Sequence, residues 1–211
     1  MRFVFIFSIL LFLSSCSENK NQPAIGDSLS KKDSVKKALQ EDLPPPSEIN
    51  QFKWFYSAFA QAAVTGNDTL FDVVIHPKYG LWIIHSEGAV PQFTHVNHIL
   101  EYKKAGGKSL LPFGREAMMN VPKEEALPEV NCDSKTGYAK SGCFTSMENK
   151  FAAQKIWKYA GLPADKDKEI EELASTITRT VINTENYRYY FSLINGSWYL
   201  TFIDVRRPCE A

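Results

Sequence analysis

The four histidines of this chain are the side chains best suited to hold a metal ion or to move a proton. His95 and His98 are the one closely spaced pair, and on a helix their i, i+3 spacing would place both on one face. The sequence contains no H-E-x-x-H pattern, and no carboxylate follows closely before Glu101. We therefore expect two polar histidines at the surface or in a groove, and no metal centre.

Motifs for nucleophilic or phosphate chemistry are also missing. There is no Gly-x-Ser-x-Gly elbow of the kind that presents a catalytic serine. Gly106-Gly107-Lys108-Ser109 matches the end of a phosphate-binding loop, but Tyr102 stands where the first glycine of that loop is needed. Carboxylate pairs such as Glu124-Glu125 and Glu171-Glu172 lie among charged neighbours and are expected to face solvent. The sequence therefore predicts no catalytic residue and no cofactor.

The first residues indicate export. Arg2 precedes a largely apolar segment, residues 3–13, which is shorter than the roughly 20 residues of a membrane-spanning helix and ends in small residues, as secretory signals do. Leu13-Ser14-Ser15-Cys16 resembles the bacterial lipobox, and the whole chain resembles small Bacteroidetes-type lipoproteins of unassigned function. The resemblance implies a signal peptide over residues 1–15 and a lipid on Cys16 that anchors the protein in the cell envelope, with the outer membrane as the expected site. The alternative is an ordinary signal peptide with an incidental cysteine.

The other three cysteines are expected to meet an oxidising compartment, where disulfides persist. Cys132 and Cys143 flank a polar, glycine-containing loop, and their bridge is the pairing that the sequence favours. Cys209 is then left over, although it could pair with either of the other two instead. A metal site would need four ligands, usually with closer cysteine spacing.

Composition divides the mature chain into two parts. Residues 16–46 are polar, contain no aromatic residue and end in a triple proline, so we expect a flexible tether. Residues 47–211 are long enough for a single domain with its own core. The chain contains 24 basic and 24 acidic residues, and no basic stripe indicates a nucleic-acid partner.

Apolar periodicity predicts helices at the start of the domain. Aromatic residues recur every three or four positions after Ser47, which predicts a helix that ends near Gly66-Asn67. Asp68 is a candidate cap for a short second helix. Further helices are expected over residues 150–159 and from Asp165 to Thr176. Residues 93–104 fit either a helix or an edge strand.

The end of the chain has the period of strands. Leu81–Ile84, Tyr187–Ile194 and Trp198–Val205 are rich in aromatic and β-branched residues, and Asn195-Gly196 between the last two is a strong hairpin signal. The expected fold class is therefore α+β, with N-terminal helices packed on an antiparallel sheet. Alternation in the last strand predicts that Trp198, Leu200 and Phe202 share the face that receives the first helix.

The long aromatic first helix, the His76-Pro77 turn and the closing hairpin together resemble the nuclear transport factor 2-like fold, in which a curved antiparallel sheet wraps the first helix in a cone. This resemblance implies an apolar pocket between the sheet and the helix. The candidate lining residues are aromatic side chains that could instead fill the core: Tyr56, Trp82, Tyr190 and Trp198.

Two functions follow as hypotheses. The favoured one is a non-catalytic envelope lipoprotein, bound to the membrane through Cys16, whose domain binds a small apolar ligand or another envelope protein. The alternative is a cone-fold isomerase or hydrolase that uses an acid or base in the pocket, drawn from His76, His85, His95 and Asp72. A buried carboxylate–histidine pair in a polar cavity would favour the enzyme.

Overall fold

The computed structural model describes residues 47–86 and 88–209, and the predicted signal peptide, Cys16 and the 16–46 segment lie outside these residues. The described part of the chain is one α+β domain with five α-helices and a seven-stranded sheet. Among these residues no helix is both long enough and apolar enough to cross a membrane. The elements are α1 (Glu48–Thr65), α2 (Asp68–Asp72), β1 (Leu81–Ser86), β2 (Pro91–Val96), α3 (Arg115–Met118), β3 (Lys123–Glu124), β4 (Cys143–Ser146), α4 (Lys150–Gln154), α5 (Ala164–Ser175), β5 (Ile177–Asn183), β6 (Arg188–Ile194) and β7 (Ser197–Asp204), with short 3-10 helices at Ile99–Glu101, Ala105–Gly107 and Ile156–Tyr159.

Residues at the helix boundaries determine where α1 ends and where α2 begins. α1 ends at Gly66, which takes the left-handed conformation with φ 66°, as predicted. Ser47 precedes α1 as predicted, but its side chain makes no capping hydrogen bond. The side chain of Asn67 caps α2 by accepting a hydrogen bond from the Leu70 amide at 2.9 Å. The predicted cap at Asp68 is therefore one residue too late.

The sheet is mixed, with the strand order β2-β1-β7-β6-β5-β4-β3. β4 to β7 form an antiparallel meander, and the predicted turn between β6 and β7 has positive φ at both Asn195 and Gly196. However, β1 pairs with β7 in parallel, as does β3 with β4, so the prediction of an antiparallel sheet is wrong for these pairs. Turn residues reveal the hairpins, whereas the β1–β7 pairing joins opposite ends of the domain and leaves no local signal.

Helices cover both faces of the sheet. On one face, α1 and α2 contribute Phe52, Phe59 and Phe71 to a core that also contains Tyr189 and Phe191 of β6. On the other face, α4, α5 and the 3-10 helix Ile156–Tyr159 pack on a second core with residues of β1, β6 and β7. The sequence predicted only the layer of N-terminal helices, so the second layer is an addition to the predicted architecture.

A β-bulge changes the direction of the side chains in β7. Phe191 of β6 lies opposite Leu200, but the preceding Tyr190 lies opposite Phe202, which leaves Thr201 as an extra residue. The Thr201 side chain is fully buried, and its hydroxyl donates to the Tyr190 carbonyl at 3.2 Å. The extra residue shifts the alternation by one position in the rest of the strand.

Because of the bulge, the prediction about which β7 side chains share a face is partly wrong, whereas the predicted contact between the first helix and the last strand is confirmed. Trp198 and Leu200 face α1, whereas Phe202 lies in the core under α4 and α5, so the prediction that all three share a face is wrong for Phe202. The predicted contact between the first helix and the last strand is confirmed, because the Phe52 and Trp198 rings lie 5.0 Å apart between centroids.

Candidate functional site

The four aromatic residues predicted to line a pocket do not come together. Tyr56 and Trp198 lie in the core under α1, whereas Trp82 and Tyr190 lie in the core on the opposite face of the sheet. All four are less than 9% exposed. Tyr56 also borders a small pocket of about 200 Å³ beside Met118. The space between α1 and the sheet is filled by aromatic rings, so these residues act mainly as core.

The histidines and Asp72 stabilise turns and strands. Asp72 accepts hydrogen bonds from the Ile99 amide at 2.8 Å and from His98 Nδ1 at 3.0 Å, and the His98 side chain is 68% exposed. His76 Nδ1 accepts from the backbone amide of Lys78 at 3.0 Å. His95 Nε2 lies 3.0 Å from the Tyr79 carbonyl oxygen, and His85 Nε2 lies 2.9 Å from Thr94 Oγ1.

The one carboxylate–histidine pair that these interactions produce, Asp72–His98, is therefore at the surface and not in a buried polar cavity. Within residues 47–86 and 88–209, no three side chains of the metal-ligating types come together.

The disulfide differs from the predicted one. Cys132 is bonded to Cys209, with their Cα atoms 5.6 Å apart and a sequence separation of 77, so the predicted Cys132–Cys143 bridge is wrong. The loop after Cys132 folds back on itself, because the Asn131 amide donates to the Gly137 carbonyl at 2.9 Å. This fold turns Cys132 towards the C-terminal segment, where Pro208 packs on Gly137.

Cys143 is a buried thiol. It begins β4 and its side chain points into the core under α1, with only 3% of the residue exposed. Its sulfur lies 3.6 Å from the Tyr56 hydroxyl oxygen. Burial raises the pKa of the Cys143 thiol to about 11, although the hydrogen bond with Tyr56 acts in the opposite direction. A neutral thiol in this position is a poor nucleophile.

A cavity of about 510 Å³ opens to the surface beside the disulfide. We refer to this cavity as the cleft. Its walls come from three separate segments: the loop 132–141, the turn 184–186 between β5 and β6, and the C-terminal residues 207–209. The disulfide joins the first and third of these segments, so the cleft depends on a pairing that the sequence did not predict. Its volume is in the range of small-molecule sites.

A second, smaller space continues from the cleft. This side chamber has a volume of about 220 Å³ and shares Glu185, Asn186 and Arg207 with the cleft. Its remaining walls include Lys104 and Tyr187, and Lys104 Nζ donates to the Tyr187 hydroxyl at 3.1 Å. The cleft and the side chamber therefore adjoin along the turn between β5 and β6.

Two buried polar atoms at the cleft have no hydrogen-bond partner within the described part of the chain. They are Thr136 Oγ1 and Asn186 Nδ2, and both residues line the cleft. A buried polar atom without a partner costs roughly 1–3 kcal/mol, so such atoms are usually satisfied by water or by a ligand. These two side chains are therefore the strongest indication of a binding site.

A charged cluster lies behind the cleft. The fully buried carboxylate of Asp204 accepts hydrogen bonds from Arg206 Nε at 2.9 Å and Nη2 at 2.7 Å, and from Arg188 Nη2 at 2.8 Å. Burial lowers the pKa of Arg188, but the charge of Asp204, the nearby phenols of Tyr190 and Tyr138 and the hydrogen bond to Asp204 together raise it overall. Two guanidinium groups thus share one carboxylate, and the cluster keeps an excess positive charge.

Tyr138 connects this cluster with the cleft. It lines the cleft, and burial raises the pKa of its phenol, with a smaller opposing effect of the Arg188 charge and a further increase due to Asp204. The charges behind the cleft are therefore close enough to affect a group in its wall.

The sequence analysis missed every residue of the cleft apart from its cysteines. No motif marks Thr136, Asn186 or Arg207, because the fold brings them together from three distant segments. The nearest signal was the basic pair Arg206-Arg207, which only Pro208 separates from Cys209. No protein-family model matches this chain, and neither a curated protein nor a solved structure is significantly similar to it.

Proposed function

We propose that this protein is a lipid-anchored bacterial envelope protein whose domain binds a small polar molecule in the cleft. The observation that carries the proposal is a cleft of about 510 Å³ lined by Thr136 and Asn186, whose buried Oγ1 and Nδ2 atoms have no hydrogen-bond partner among the described residues. A ligand that hydrogen-bonds to both atoms would recover the free energy that their burial costs. The lipobox resemblance at Cys16 supports the anchored location.

The polar character of the ligand is a change from the apolar molecule that the cone resemblance implied. The space under α1, where an apolar ligand would be expected, is occupied by fully buried rings such as Phe52 and Phe59. The cleft lies elsewhere, at the end of the sheet beyond β5, and its walls are rich in hydroxyl, amide and charged groups. Catalysis has no comparable support, because Asp72 and the histidines stabilise turns and strands.

We also propose that the domain is a variant of the nuclear transport factor 2-like fold. Two features support this: α1 lies along one face of the sheet, and bulges interrupt the pairing of β6 with both β5 and β7. Bulges bend strands and would help the sheet to curve around the helix. The parallel β1–β7 pair and the second helical layer would be the distinguishing features of this variant.

Ligand-observed NMR with a plugged variant tests the binding function. The full-length protein in detergent is screened against amino acids, neutral sugars, sugar acids and nucleosides. Ser141→Trp places a large ring in the cleft wall, whereas Ser197→Trp places the same ring on the exposed turn at the opposite end of the sheet. We expect at least one compound to bind the wild type and Ser197→Trp but not Ser141→Trp. Binding that is the same in all three proteins, or absent from all, contradicts the proposal.

A further inference from the structure

We propose that the cleft and the side chamber together form one groove that binds an acidic oligosaccharide. This inference rests on the proposed binding function and adds the chemical class of the ligand. Its basis is the charge of the groove, the side-chain groups that its walls present, and the way in which its backbone is already hydrogen-bonded.

Charge is the first observation. Among the described residues, the walls of the groove contain Lys104, Lys135 and Arg207 and one acidic residue, Glu185. The cluster behind it adds a second excess of positive charge, because Arg188 and Arg206 share the single carboxylate of Asp204. The chain as a whole has equal numbers of acidic and basic residues, so this is a local concentration of positive charge. Such a site attracts an anion and holds it by charge-assisted hydrogen bonds.

Hydroxyl and amide groups are the second observation. Asn186 borders both the cleft and the side chamber, and its buried Nδ2 has no hydrogen-bond partner among the described residues. Thr136 offers a second unpartnered group on the opposite, loop side of the cleft. Sugar hydroxyls both donate and accept hydrogen bonds, so they suit a wall that presents amide and hydroxyl side chains between charged ones.

The hydrogen bonds of the backbone around the groove argue against a peptide as the ligand. A peptide that adds to a sheet needs a row of free backbone groups at an edge strand. The groove is instead lined by turns that use their own backbone: the Gly137 amide donates to the Ser134 carbonyl at 3.1 Å, and the Asn186 amide donates to the Asn183 carbonyl at 3.0 Å. Side chains must therefore recognise the ligand, which favours a sugar acid over an acidic peptide.

The shape of the groove indicates more than one sugar unit. The cleft of about 510 Å³ and the side chamber of about 220 Å³ adjoin, because Glu185, Asn186 and Arg207 line both. A ligand with carboxylates on successive units could place one near Lys135 and Arg207 and the next near Lys104. This arrangement would use both chambers at once.

Calorimetric titration of the full-length protein with trigalacturonic acid tests the inference, and the fully methyl-esterified trisaccharide is the matched neutral probe. We expect the acid to bind and the ester to bind at least tenfold more weakly, with the affinity for the acid falling as salt is raised. Arg207→Gln and Lys135→Gln should each weaken binding of the acid by roughly tenfold, since each removes a charged hydrogen-bond donor. Lys168→Gln makes the same charge change on an exposed part of α5, 77% exposed in its side chain, and should change the affinity less than twofold.

The outcomes separate the two proposals. Equal affinity for the acid and its ester, with both lost in Ser141→Trp, overturns the requirement for charge but leaves the cleft as a binding site. Tighter binding of tetraglutamate than of the trisaccharide overturns the sugar class in favour of an acidic peptide. A lack of binding of every charged probe, when some neutral compound still binds the cleft, also overturns the inference. The proposed function itself is contradicted if all compounds fail to bind, or if binding is the same in the wild type, Ser141→Trp and Ser197→Trp.

Discussion

Truncation of three aromatic residues on α1 measures how the first helix is held on the sheet. Phe59 is fully buried, and its ring lies within 5.1 to 5.7 Å of Tyr189, Phe191, Tyr56 and Phe71 between centroids. Removal of a fully buried Phe loses its transfer free energy and leaves a cavity, so Phe59→Ala should lower the free energy of unfolding by about 3–5 kcal/mol.

Phe55 and Trp54 are the matched controls on the same helix. Phe55 is half-buried and has one ring neighbour, Phe191, at 5.8 Å, so Phe55→Ala should cost only about 1–2 kcal/mol. Trp54 is 80% exposed, and Trp54→Ala should change stability by less than about 0.5 kcal/mol. The ranking therefore follows burial and not residue size.

Urea unfolding of the full-length protein, followed by circular dichroism, gives all three values on one scale. In thermal unfolding, each kcal/mol should lower the Tm by roughly 2–4 °C for a domain of this size. An equal loss for Phe59→Ala and Phe55→Ala would refute the packing described here, because it would mean that α1 presents a different face to the sheet. A large loss for Trp54→Ala would refute it in the same way.

The cysteines give three further predictions. Iodoacetamide at pH 8 should label Cys143 only after unfolding, because burial raises its thiol pKa to about 11; peptide mass spectrometry that finds it labelled in the native protein contradicts this. Peptide mapping of the non-reduced protein should yield Cys132 and Cys209 in one disulfide-linked peptide pair. Cys209→Ser should lower the free energy of unfolding by about 4 kcal/mol, because the unfolded chain gains loop-closure entropy. A loss below about 1 kcal/mol would contradict this prediction. Cys16→Ala should move the protein from the membrane fraction to the soluble fraction of the source cells, and unchanged fractionation would count against lipidation.

The sequence was most informative where a short segment decides its own structure. The period of the aromatic residues located α1, and Gly66 marked its end. Asn195-Gly196 located the hairpin between β6 and β7, because few other residue pairs adopt two positive φ angles in succession. These features depend on neighbours within a few positions, which is the range over which pattern and propensity operate.

Features that depend on distant partners could not be predicted in this way. The bulge at Thr201 inserts one residue into an otherwise regular alternation, and nothing in the sequence of β7 distinguishes it from a continuous strand. The choice between Cys143 and Cys209 as the partner of Cys132 depends on which side chain the fold buries. The cleft depends on the same choice, since its walls meet only when the C-terminal segment is bonded to the loop.

The position of α1 has a consequence for access to the groove. With 18 residues, α1 is about 27 Å long. Its first turn lies near Arg179, early in β5, with Glu48 Oε1 3.7 Å from Arg179 Nη2. Its last turn lies towards the side chamber, since the Ala63 carbonyl accepts from the Phe113 amide and the Phe113 ring lies 5.2 Å from that of Tyr187.

The chain therefore enters the domain at one end of α1, and the groove opens at the other. The point at which the chain enters the domain is therefore separated from the side chamber by about the length of the helix. A ligand could therefore occupy the side chamber without contact with the start of α1.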